Sequence, residues 1–174
     1  MATARSTAWL LGPMGEVVRG LATVPDTDGR AMAVDLADLS KPSASADLPA
    51  QARDLVQAAA ANAPLPGTAQ RQFEGSCGSC HHDGDGPTLL GLNQPLALNT
   101  TMHSARPDNL IRVILEGVQR PASAELGFMP GFEQSLTNAQ IAQLVEWMRA
   151  RYAPGQAPWV NVPEAVARAR ARSH

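Results

Sequence analysis

The chain predicts an all-α fold. Apolar residues recur at helical spacing in two blocks, Leu110 to Leu115 and Ile141 to Met148, so each block turns one face towards a core. No segment sustains the period-two alternation of a half-buried strand. Start and stop signals frame the blocks, with Asp108 and Thr137 ahead of them and Gly117 behind the first.

In chain order, the elements fall into four regions. Residues 1–40 carry near their start the run Ala8-Trp9-Leu10-Leu11, which Gly12-Pro13 interrupts. That run is too short for the apolar part of a secretory leader, and far short of the roughly 20 residues that span a bilayer. Asp26 and Asp28 are candidate caps for a helix carrying Ala31, Met32, Val34, Leu36 and Leu39. Residues 41–66 are rich in Ala and Pro and read as a linker, within which 51–61 can form one short alanine-rich helix. Residues 67–153 hold the densest patterning. A first helix runs from Thr68 into the cysteines with Phe73 on its buried face. A second follows Pro107-Asp108, where Pro sets φ and Asp caps. It carries Leu110, Ile111, Val113, Ile114 and Leu115, and stops at Gly117. A third is capped by Thr137 and carries Ile141, Leu144, Val145 and Met148, with Trp147 beside them. Residues 154–174 read as a tail broken by Pro154, Pro158 and Pro163. Its run from Arg168 to Arg172 reads as a solvated terminus before it reads as a docking contact for an acidic partner.

The chemistry concentrates in Cys77-Gly78-Ser79-Cys80-His81, which holds the only two cysteines of 174 residues. Two thiols three positions apart, followed by a histidine, form the C-x-x-C-H attachment signature of c-type haem. Each thiol forms a thioether to one vinyl group of a single haem, and the adjacent imidazole binds the iron as proximal ligand. Other readings of these residues are weaker. A zinc site needs about four ligands, and beyond the run only His82, His103 and His174 remain. A thioredoxin-like pair precedes a helix, where the dipole lowers the thiol pKa, whereas this pair follows one. A simple disulfide leaves His81 unexplained. Aromatic content is only 4%. A flat apolar macrocycle would therefore serve as much of the core, and the haem-free chain is expected to fold poorly.

A second axial ligand is offered by Gly127-Phe128-Met129-Pro130-Gly131-Phe132. A thioether is a weak ligand that rigid backbone must hold in place, and proline between glycines suits such a loop. Met129 as core filler is the plain alternative. Met102 and His103 are rivals, but both come before the second helix, and His103 reads better as a polar residue near the haem edge or the surface. His82 reads as exposed. Pro87 and its neighbours are placed to supply the carbonyl that a coordinating His81 needs for its other N–H. Arg106 and Arg112 either pair with haem propionates or stay solvated.

Three stretches, Cys77 to His81, Asn99 to Arg112 and Phe128 to Phe132, together resemble a class I cytochrome c domain wrapped around one covalent haem. More narrowly, they resemble the cytochrome c subunits that accompany membrane-associated quinohaem alcohol dehydrogenases and molybdenum hydroxylases of the isoquinoline or nicotinate type. The likeness covers about half the chain. It implies tandem cytochrome domains, and Gly12 to Val18 with Arg30 to Val34 resembles the closing part of a preceding one, Met14 taking the axial place. Met14 followed by Ala31–Leu36 parallels Met129 followed by Ala142–Trp147. No C-x-x-C-H precedes Met14, so residues 1–40 read as the end of a truncated or degenerate cytochrome domain. Such a remnant is expected either to be weakly ordered or to pack its apolar helix against the intact domain.

A haem ligated on both faces has no position for substrate, so the expected function is electron transfer and not catalysis. The resemblance implies a relay from a periplasmic dehydrogenase to quinone or a downstream acceptor. The alternative is a peroxidase-like enzyme or gas-sensing module with a displaceable distal Met129. A formal charge of −2 excludes an electrostatic case for nucleic acid or an anionic membrane surface, leaving membrane association through partners. Haem of this type is normally attached outside the bacterial cytoplasm, so a periplasmic location is expected. The missing complete leader then reads as part of a longer exported protein or one that has lost its leader.

Overall fold

A computed structural model of the chain describes residues 17, 20–21, 23–40, 47–62, 66–81, 95–118 and 128–172. Among these the helices are α1 (Asp26–Ser40), α2 (Leu48–Ala61), α3 (Thr68–Ser76), α4 (Thr100–His103), α5 (Asp108–Glu116), α6 (Asn138–Tyr152) and α7 (Val162–Arg170), with a 3-10 turn at Leu96–Leu98. Among the described residues there is no strand. An isolated antiparallel bridge joins Val118 to Met129. The fold is all-α.

Helix α6 is the centre of the packing and touches α2, α3, α4, α5 and α7. Thr137 caps it as the sequence predicts. Its hydroxyl accepts from Gln140 N at 3.3 Å, and Gln140 Oε1 accepts from Thr137 N at 2.9 Å, a reciprocal capping box. Ile141, Leu144 and Val145 lose all exposure against the neighbouring helices. Across the contact with α3, the Phe73 ring lies 5.0 Å from Trp147 and 5.7 Å from Tyr152. Three of the seven aromatics thus meet where the two helices cross.

Helix α5 starts and stops where expected, but Asp108 does not cap it. Pro107 occupies the cap position with no side-chain bond. Asp108 lies in the first turn and takes both Nε and Nη2 of Arg106 at 3.0 Å. That hydrogen bond holds its carboxyl below the usual range. The residue competes for a local cation instead of the helix amides.

The expected tail is instead part of the packed unit. Asn161 takes a left-handed conformation at φ 55 and turns the chain into α7. Pro163 sits in the first turn of α7, where a missing N–H costs nothing. Val162, Ala165 and Val166 are buried, and α7 packs on α5 and α6. Ahead of it, Arg149 of α6 is only 5% exposed. It donates to the carbonyls of Met102, Ser104 and Ala157 and lies 4.4 Å over the Trp159 ring. Trp159 in turn donates its indole N–H to Ser104 O at 2.9 Å.

The alanine-rich helix expected within the linker is α2, capped by Asp47, whose carboxylate accepts from Ala50 N at 2.9 Å. It docks on the 3-10 turn and on α6, and Asn62 exchanges hydrogen bonds with Ala150 O and Arg151. Helix α1 behaves differently. Packing against the haem-motif unit is one expectation for it, yet Met32, Val34, Leu36 and Leu39 are all exposed, Leu39 to 78%.

Candidate functional site

The cysteine run is shaped by the end of α3. Phe73 O accepts from both Cys77 N at 2.7 Å and Gly78 N at 2.9 Å, closing the helix. Cys77 O then accepts from Cys80 N at 3.1 Å and from His81 N at 2.9 Å. Residues 77–81 therefore wind into one compact turn that presents two thiols and an imidazole from adjacent positions. All three side chains are half-buried, and both cysteines are free thiols. Burial, with a smaller contribution from Cys80 nearby, pushes the Cys77 thiol up to about 11. It stays protonated at neutral pH in the haem-free fold.

Met129 sits at a second locus, also half-buried. Its loop is fastened to the end of α5 by backbone alone. Val118 N donates to Met129 O at 2.8 Å and Met129 N to Val118 O at 3.2 Å. Phe132 N donates to Ile114 O at 2.9 Å, and Glu133 N to Leu115 O at 3.2 Å. The approach is so close that two glycines are required. A Cβ on Gly117 would fall 2.4 Å from Met129 O, and one on Gly131 would fall 2.6 Å from Leu115 O. Helix α6, packed on both α3 and α5, connects the two loci.

The rivals for the second ligand are engaged elsewhere. Met102 is a fully buried core residue. His103 holds Ala97 O at 2.7 Å through Nε2, which must then carry the proton. Arg106 pairs with Asp108 and Arg112 with Glu116 at 2.9 Å. Met14, His82, Pro87 and His174 lie outside the described residues.

The residues present fit a covalently attached haem. Two free thiols, an imidazole and a thioether are the donor set such a group uses. Among the described residues, no acceptor meets the buried Trp147 indole nitrogen or the buried Gln72 amide nitrogen. That is costly in a closed core and accords with an acceptor-bearing group, such as a haem with its carboxylates, lying alongside. Among the described residues no cluster of His, Cys, Asp and Glu could hold a free metal ion, and no helix is long and apolar enough to cross a membrane.

Sequence reasoning missed the mutual approach of Gly117 and Gly131, and the grip of Arg170 described below. The glycines are visible as turn residues, but nothing local marks them as neighbours.

Comparison with known proteins matches residues 65–148 to the family described as cytochrome C oxidase, cbb3-type, subunit III. A nicotinate dehydrogenase subunit of Pseudomonas putida is 41% identical over 167 residues, covering 92% of this chain and 13% of the relative. The fructose dehydrogenase cytochrome subunit of Gluconobacter japonicus is 32% identical over 90 residues, 49% of this chain and 18% of the relative. The quinone-dependent alcohol dehydrogenase cytochrome c subunit of Gluconacetobacter polyoxogenes is 34% identical over 85 residues, 45% of this chain and 18% of the relative. The chain thus spans less than a fifth of the length of each of these relatives.

Proposed function

Residues 65–148 are a cytochrome c domain, and from that premise we propose that the chain carries single electrons through one covalent haem c. Cys77 and Cys80 would hold it through thioethers, and His81 and Met129 would ligate its iron. When bound, the haem supplies one-electron chemistry. The chain's part is to anchor it, fix both ligands and leave no coordination position open to substrate. A neutral thioether opposite an imidazole favours the reduced state and so raises the potential. The observation that supports this reading best is the Met129 loop held rigidly by backbone bonds to α5, in a chain whose 77–81 turn presents two thiols and an imidazole. A loop held in that way suits a weak ligand that must not wander.

The relatives named as dehydrogenase subunits support a place in a dehydrogenase complex, passing electrons on to quinone or another acceptor. Periplasmic residence follows from the site of haem attachment. Residues 67–153 would form the haem-bearing unit, and residues 1–40 the closing part of a preceding cytochrome domain.

The test is optical. In the full chain produced with haem-attachment machinery, haem should remain bound after denaturation and be absent from the Cys77→Ala/Cys80→Ala variant. Oxidised protein should show the weak long-wavelength sulfur-to-iron band, which Met129→Ala should abolish while opening the reduced protein to carbon monoxide. A wild-type chain that lacks the band, or that binds carbon monoxide readily, would refute ligation by Met129.

A further inference from the structure

We propose that α7 is a strap that positions the Met129 loop, with Arg170 as its anchoring residue. This rests on the reading of Met129 as an axial ligand. Arg170 is the last residue of α7, and its half-buried guanidinium uses all three nitrogens on one short stretch. Nε donates to Asn138 Oδ1 at 2.6 Å, Nη2 to Leu136 O at 2.7 Å, and Nη1 to Glu133 O. That stretch is the turn directly following the Met129 loop, closed by Ser135 N and Leu136 N on Phe132 O at 3.1 and 3.0 Å. Upstream, the loop is already fastened to α5 through the Val118 bridge and through Phe132 and Glu133. Arg170 grips its other end.

The strap is itself fixed. Val162 and Val166 are 1% and 0% exposed where α7 packs on α5 and α6. Helix α7 lies outside residues 65–148, the stretch matched as a cytochrome domain. Ligand positioning is therefore extended here by an element beyond that stretch. A guanidinium suits the task because its planar fork spans two carbonyls and an amide oxygen at once. A lysine ammonium has neither the reach nor the geometry. A thioether holds iron weakly, so loosening the turn should raise the fraction of time that the sulfur is off the metal.

The experiment uses the full chain carrying covalent haem. Carbon monoxide binds reduced protein only after Met129 has left, so its binding rate reports loop opening. Arg170→Ala should speed that rate about tenfold, the scale of one lost charge-assisted hydrogen bond, and should weaken the sulfur-to-iron band. Arg170→Lys should resemble it, whereas Arg168→Ala, on the exposed side of the same helix, should match wild type. Covalent haem content should be equal in all four proteins. A merely structural α7 would lower the melting temperature of Arg170→Ala but leave its band and carbon monoxide rate as in wild type, and that result would overturn the proposal. Should Arg170→Ala not fold, Asn138→Ala decides. It removes one of the three contacts, and a wild-type rate there would count against the strap. Absence of the band from wild type would instead defeat the ligand assignment.

Discussion

At Gly117 the backbone takes φ +70, and an added Cβ would meet both Met129 O and Gly131 N, the latter at 2.5 Å. Only glycine satisfies the dihedral and the contact together. Gly117→Ala should therefore destabilise the haem-loaded chain by about 2–4 kcal/mol in denaturant unfolding, and an alanine variant within about 0.5 kcal/mol of wild type would contradict the geometry. Asp108 gives a milder effect with a definite pH sign. Its folded-state pKa is depressed, first by the hydrogen bond from Arg106. Its contribution is thus fully present above the unfolded carboxylate value of about 3.9 and is lost as pH falls through the lower folded value. Unfolding followed from pH 6 downward should show a small deficit in Asp108→Asn that closes in acid. A deficit that widened in acid would reverse the sign. Arg106 is largely exposed and Asp108 partly so, so the deficit stays small. Asp108 also shows why a cap residue is hard to read locally: the competing partner, Arg106, is decided by side-chain geometry and not by spacing.

Among the helices, α5 and α6 are legible because each carries its own apolar stripe, and the cap at Thr137 marks the start of α6 within one residue, whereas α3 buries Phe73 alone. Helix α7 is opaque for the opposite reason. Its Ala/Arg composition advertises solvent, and the partners of Arg170 lie more than thirty positions away in sequence. Short apolar helices also differ in what they are for. Deleting residues 1–40 removes α1, whose large apolar side chains face solvent, and should leave the thermal midpoint of the haem-bearing unit where it was. Deleting through residue 62 also removes α2, the buried Ala59 and the Asn62 bonds to the end of α6, and should lower it. Equal midpoints for both deletions would show that α2 contributes nothing.

For the whole molecule, the proposed donor set is read from five adjacent letters and a methionine between glycines, because the attachment signature is local. The support of that set is not, because it is assembled from carbonyls of α5, a fork from α7 and rings from both α3 and α6. The crossing of Phe73 with Trp147 and Tyr152 also puts the events of the protein's birth in order. Haem of this type is attached outside the cytoplasm, so the chain meets its attachment enzyme after synthesis, as it folds. The thiols of Cys77 and Cys80 are best presented to it before α6 closes over Phe73. Until α6 docks, nothing from it shields them, and an unfolded thiol titrates near its ordinary value of about 8.5. The reluctant, buried Cys77 is a property of the finished fold alone. The time before α6 docks on α3 in the exported chain is therefore the window in which the attachment site is open to an enzyme, and that docking closes it.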